Sequence, residues 1–172
     1  MNIYSNLNKL NQELIRELFD YRDGELYWKV SPKIGVNIGD EAGHVEVRGY
    51  KVIKILGRKY KAHRLVFLYH HGYIPKPPEF IDHIDNDRLN NKIQNLRVAT
   101  RAQNNQNAKI RKDNTSGVKG VTWCKRNKKW IAQLQSNSIR WRKIFDTLDE
   151  AKVAIEEHRK LKHKEFTNHG VI

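Results

Sequence analysis

At 172 residues the chain suits one mid-sized domain or two small ones, and 38% hydrophobic content with four Trp argues against disorder. Lys and Arg number 33 against 19 acids, a formal charge of +14 that favours a polyanionic partner, because each neutralised phosphate releases condensed counterions. One cysteine, Cys124, excludes a disulfide framework and a cysteine-based zinc site. No apolar run approaches a membrane span and residues 1–6 lack the features of a secretion signal, so a cytoplasmic protein with no membrane partner is expected.

In chain order, Leu7, Leu10, Leu14 and Leu18 recur at spacings of three and four and predict an amphipathic helix over 7–20. Asp23-Gly24 turns the chain into a strand from Glu25 to Val30, and two further strands are expected at 44–48 and 50–56. Gly57-Arg58 reads as a hairpin turn into Lys59–Ala62, followed by a helix from His63 to Tyr73. After a stiff Pro-rich connector, Phe80–Ile84 is a strand, residues 85–94 a polar loop with a possible turn of helix, and Leu96–Ala99 a return strand. Thr100 caps a helix running to about Ile110. The polar stretch 111–117 is the best candidate linker, and beyond it the pattern restarts as three strands (Val118–Trp123, Lys129–Gln135, Ile139–Phe145) with turns at 125–128 and 136–138. A final helix opens on the capping-box match Thr147–Glu150, with Leu148, Ala151, Ala154, Ile155, His158 and Leu161 as its inner stripe.

Residues 82–104 carry the chemistry. Asp82 and Asn104 offer a carboxylate and an amide oxygen, hard donors suited to one Mg²⁺ or Mn²⁺. His83 offers an imidazole, a group that can take a proton from water at neutral pH provided a hydrogen bond fixes its tautomer. Asn95 is placed either to supply that bond or to pin the loop. A metal beside a general base is what phosphodiester hydrolysis requires. Residues 101–145 hold twelve Lys or Arg against one acid, Asp113, and so +11 of the +14. The stretch is interleaved with Trp123, Trp130 and Trp141 and reads as a basic sheet, which suits nucleic acid better than lipid.

Ala62-His63-Arg64-Leu65, Ile81-Asp82-His83-Ile84-Asp85, Asn90-Asn91, Asn95-Leu96-Arg97, Ala99-Thr100 and Gln103 to Asn107 together resemble the HNH nuclease motif of phage homing endonucleases, in the version with Asn as third element. The resemblance implies a metal-binding Asp82, a general-base His83, a middle Asn95 thirteen positions after Asp82 and a helical metal ligand Asn104 twenty-two positions after it; Asn105 and Asn107 are the alternatives to Asn104. It also implies a ββα-metal fold, one divalent cation, double-stranded DNA as substrate in an infected bacterial host, and 5′-phosphate and 3′-hydroxyl ends. A monomer would favour nicking and a homodimer a double-strand break. The rival readings are a catalytically silent DNA-binding regulator and a nonspecific nuclease.

Ser116 to Trp123, Lys129-Trp130-Ile131-Ala132 and Phe145 to Ala151 resemble, over about 50 residues, the Apetala-type DNA-binding domain. That implies a three-stranded antiparallel sheet packed on one helix, its open face meeting DNA. Strand alternation puts Trp130, Ala132 and Leu134 under Ile155 and Leu161, and Gln133 and Gln135 on the DNA side. Arg140 and Arg142 on the last strand and Lys125, Arg126 and Lys128 in the first turn complete the DNA-binding set; Trp141 is open between core and DNA platform. The expected class is α+β: an N-terminal α/β segment at 1–62, a nuclease core at 63–110, a linker at 111–117 and a DNA-binding domain at 118–166.

Overall fold

The computed structural model describes residues 10–136 and 139–168. The expected helix residues 7–9 and most of the expected turn at 136–138 lie outside them. The chain divides into two compact units, 1–98 and 99–172, so the division comes ahead of the polar stretch 111–117. That stretch is itself pinned within the second unit: Ser116 Oγ donates to the Val121 carbonyl at 2.7 Å and Asn114 Nδ2 to that of Val118 at 3.1 Å. Helices and small sheets alternate throughout, and no helix among the described residues is long and apolar enough to cross a membrane.

In the first unit, helix α1 (Gln12–Leu18) starts where the Asn11 side chain accepts from the Leu14 amide, and buries Leu14, Ile15 and Leu18. It stops sooner than the apolar spacing suggests, because Phe19–Arg22 is strand β1, paired antiparallel with β2 (Glu25–Trp28). The second hairpin, β4 (Lys51–Ile55) and β5 (Arg58–Lys61), turns through Leu56 and Gly57, both with positive φ, the two-residue geometry that matches strand twist. A short β3 (His44–Val45) completes that antiparallel sheet. Helix α2 (Ala62–His71) lays Leu65, Val66, Phe67 and Leu68 into a core shared with α1, β2 and β4. Strands β6 (Glu79–His83) and β7 (Leu96–Thr100) form a two-stranded sheet, with a 3₁₀ turn at Ile93–Asn95 before β7.

Lys51 is buried in this unit yet stays charged. Burial pushes its ammonium down, but Glu25 (2.6 Å) and Glu41 together leave it above the usual lysine value.

In the second unit, α3 (Arg101–Asn107) begins with a full capping box between Thr100 and Gln103. Strands β8 (Val121–Cys124), β9 (Lys129–Ser136) and β10 (Ile139–Phe145) make an antiparallel sheet in the order β10-β9-β8, covered by α4 (Leu148–His163). The Thr147–Glu150 capping box is present. The inner stripe of α4 differs from the expected one: it is Ala151, Ile155, Arg159 and His163, at a strict spacing of four, whereas Leu161 is 74% exposed. Arg159 is taken inside because its guanidinium donates to the Lys119 carbonyl at 2.6 Å. Trp141 faces the helix, stacked on His158 with centroids 4.5 Å apart, so the side chains of Arg140 and Arg142 project from the other face. Arg140 meets Gln133 there at 2.7 Å.

Candidate active site

Strand β6 ends on the two residues that matter most. Asp82 and His83 are 5% and 6% exposed, and neighbouring strand positions project to opposite sides. Asp82 therefore meets β7, where Nε and Nη2 of Arg97 both approach its Oδ2 at 3.0 Å. His83 meets a different set: Asn91, His63 and Tyr50. The alternation separates the carboxylate from the imidazole while keeping them adjacent in the backbone.

His83 Nε2 lies 3.1 Å from Asn91 Oδ1 in a buried contact. An amide oxygen can only accept, so in this arrangement Nε2 carries the proton and Nδ1 is the basic nitrogen. His63 sits with its ring edge against the His83 ring, 5.0 Å between centroids. Burial, then the charges of His83, Lys61 and Arg64, push His63 down to about 3, so it is a neutral packing partner at physiological pH.

The loop that carries Asn91 is stitched by Asp85, Asn90 and Asn95. Asn95 Nδ2 donates to Asp85 Oδ1 (2.9 Å) and to the Asn90 carbonyl (2.8 Å), while its Oδ1 accepts from the Asp85 amide (3.1 Å). Of the two roles open to Asn95, this is the pinning one. Burial raises the Asp85 carboxyl, but the Asp87 amide and the side chains of Asn95 and Asn90 outweigh it and hold it below the usual carboxylate range.

The N-terminal hairpin braces the same loop. The Tyr21 hydroxyl accepts from the Ile93 amide at 3.1 Å, and Asp23 pairs with Lys92 at 2.9 Å. Gly24, at φ +102°, comes so close that a Cβ would lie 2.8 Å from the Lys92 nitrogen. Asn91 and this brace escaped the sequence reading. The loop holds several Asn, and only the folded position distinguishes the one that reaches the imidazole.

Asp82, His83 and Asn95 thus come together within the first unit. Asn104 is exposed on α3, in the second. Asn105 is also exposed, while Asn107 is buried. The end of α3 is held by Lys119, whose ammonium donates to the carbonyls of Gln106 (2.9 Å) and Ala108. Burial, then Arg159, lower that ammonium to about 8. On the C-terminal sheet Lys125, Arg126, Lys128, Gln135, Arg140 and Arg142 are exposed and Gln133 is half-buried.

Residues 60–106, from β5 through α3, match the family model described as HNH endonuclease. That segment is similar to an HNH endonuclease domain. The chain is also 45% identical over 81 residues to Protein 3.8 of Escherichia phage T7, covering 45% of this chain and 66% of that protein. An uncharacterized HNH endonuclease of Acanthamoeba polyphaga mimivirus is 43% identical over 74 residues, covering 42% of this chain and 36% of that protein. The chain thus spans just under two thirds of the phage protein and about a third of the viral one. No solved structure matches it. The HNH match takes in Asp82, His83, Asn91, Asn95 and Asn104 alike.

Asp82 and Asn104 carry oxygen donors, the type a hard cation takes. Among the described residues no three His, Cys, Asp or Glu side chains gather to ligate a metal, as zinc would demand. One buried carboxylate supplemented by amide, water and phosphate oxygens is the donor chemistry of Mg²⁺ or Mn²⁺.

Proposed function

We propose that this protein is a metal-dependent HNH endonuclease of homing type that hydrolyses phosphodiester bonds in duplex DNA. The observation that carries the reading is the His83 imidazole, buried at the end of β6 beside Asp82 with Nε2 turned to Asn91. A histidine whose tautomer is fixed, next to a buried carboxylate, is equipped to remove a proton from water. In the proposed ββα-metal arrangement β6 supplies Asp82 and His83, β7 completes the pair of strands, and α3 supplies Asn104.

His83 Nδ1 takes the proton of the attacking water, and Asn91 holds the ring so that this nitrogen keeps its lone pair. Asn95 keeps the loop shaped around Asn91. Asp82 and Asn104 would hold the divalent cation, which when bound would supply charge stabilisation to the scissile phosphate and the leaving 3′ oxygen. The products are 5′-phosphate and 3′-hydroxyl ends. Lys125, Arg126, Lys128, Gln133, Gln135, Arg140 and Arg142 lie along the open side of the C-terminal sheet, which engages DNA in the Apetala-type manner.

The test is cleavage of a long duplex, with ends mapped on both strands, by the wild type and by His83→Ala, Asp82→Ala and Asn104→Ala. Loss of the base should lower the rate by about 10² or more with little change in duplex binding. The Asp82 and Asn104 variants should each raise the Mn²⁺ concentration needed, and their effects should not add, because they serve one ion. Near-normal turnover by His83→Ala, or full activity in chelator, would refute the mechanism. No cleavage by the wild type, with tight duplex binding retained, would indicate a silent regulator, and cuts spread without site preference a nonspecific nuclease.

A further inference from the structure

The first unit carries a concentration of positive charge of its own, hidden in the sequence because its members are spread from residue 48 to residue 88. Tyr50, half-buried, lies 5.5 Å from the His63 ring and 6.4 Å from the His83 ring. The Lys61 ammonium sits over Tyr50 at 3.7 Å from its centroid, and the Arg88 guanidinium at 4.9 Å. Arg88 Nη1 also donates to the Arg48 carbonyl at 2.8 Å, which ties a third cation-bearing segment to the same spot. All of Arg48, Lys61, Arg64 and Arg88 are exposed, and among the described residues none of them forms an ion pair with a carboxylate.

This grouping runs against local preference. Lys61 is the N-cap of α2, His63 and Arg64 lie in its first turn, and that turn contains no acid and no side-chain cap. The amino end of a helix favours negative charge, so the charges of Lys61 and Arg64 there oppose the helix dipole as well as each other. Mutual repulsion is visible in Lys61, which burial first and then Arg64, Arg88 and Arg48 hold below the usual lysine value. An arrangement that is unfavourable in the isolated protein becomes favourable once an anion is brought to it.

We propose that Arg48, Lys61, Arg64 and Arg88 form a binding site for the phosphodiester backbone of duplex DNA beside His83, in addition to the C-terminal sheet. The inference rests on the nuclease reading: if His83 activates water against one phosphodiester, cations grouped around Tyr50 meet phosphates next along the same strand. Lys61 and Arg88 are held against the aromatic ring and so present their charge with less freedom to lose than ordinary surface side chains.

The test uses full-length protein and a fluorescent duplex in chelator, so that binding is read without cleavage. Titrations over a range of salt give the slope of log K against log salt for the wild type, for Arg48→Gln/Arg64→Gln and for the charge-matched control Lys33→Gln/Lys76→Gln. Each lost phosphate contact should flatten the slope by about 0.9, so the first pair should be shallower by roughly two and the control unchanged. Thermal melts check that both pairs fold as the wild type does, and Arg88→Gln, expected to flatten the slope by about one, serves if the first pair does not. A slope for Arg48→Gln/Arg64→Gln equal to that of the control overturns the site. Cleavage by the wild type in Mg²⁺ is scored separately: cleavage with unchanged slopes removes this site and leaves the nuclease reading standing. A wild type that neither cuts nor binds the duplex overturns both.

Discussion

Replacing His63 with Phe should change how stability depends on pH. His63 is buried against His83 and Tyr50, and burial together with His83, Lys61 and Arg64 brings its folded value from 6.5 down to about 3. In the unfolded chain it titrates near 6.5. Between those two values the unfolded state binds a proton that the folded state refuses, so stability falls as pH falls through this window and is flat above it. The slope is about 1.4 kcal/mol per pH unit, giving a loss of roughly 2–3 kcal/mol at pH 4.5 relative to pH 7. Phe retains the ring packing and cannot take the proton. Urea denaturation of wild type and His63→Phe at several pH values should therefore show the stability of the wild type relative to the variant falling by roughly 2–3 kcal/mol between pH 7 and pH 4.5. His163, held near 4 in the second unit by burial, Arg159 and Lys119, adds the same slope to both proteins and cancels in the difference. Parallel curves across that range would refute the argument that His63 is neutral because it is buried.

Three further outcomes are expected. Asn91→Ala should leave the duplex affinity unchanged but lower the cleavage rate by roughly tenfold or more and shift its pH profile, because the imidazole loses the contact that fixes its tautomer; an unchanged rate and profile would remove Asn91 from the site. Gly24→Ala should destabilise the first unit by about 1–3 kcal/mol, since a side chain is strained at φ +102° and its Cβ would meet the Lys92 backbone; a melt within error of the wild type would show that the hairpin does not brace the loop. Arg140→Ala/Arg142→Ala should flatten the salt slope by roughly one to two if both arginines touch phosphate, or relax preference at one base by about 1–3 kcal/mol if one reads a guanine edge; neither change would mean the sheet serves another purpose.

How far the sequence could be read depended on whether the deciding interaction was local. The Thr100 and Thr147 caps, the helix at α2 and the strand before Asp82 rest on neighbours within a few residues, and these elements lie where the pattern places them. Strand β1 does not: Leu18 and Phe19 satisfy helical spacing as well as strand alternation, and only pairing with β2 decides between them. Leu161 against Arg159 is the same lesson with the opposite sign. Hydropathy favours burying the leucine, but a carbonyl forty residues away at Lys119 gives the arginine a reason to be inside. The basic group around Tyr50 was invisible to counting charge along the chain, which marks 101–145 and passes over cations gathered from the turn before β4, the end of β5, the start of α2 and the loop after β6.

The asparagines take this one step further, because one residue type here performs several jobs that composition cannot separate. Asn95 is 8% exposed and spends both ends of its amide on Asp85 and Asn90, so it shapes the loop. Asn91 is 1% exposed and turns its oxygen to His83, so it orients the imidazole. Asn104 is exposed on α3, and we propose that its oxygen is the one offered to the metal. An amide suits both buried positions because its oxygen accepts without carrying charge, whereas a carboxylate facing His83 would favour a charged imidazole and one at position 95 would repel Asp85. The buried roles therefore call for an amide. The exposed role at 104 tolerates a carboxylate in principle, and Asn104→Asp is the substitution of the three that should best preserve metal-dependent cleavage.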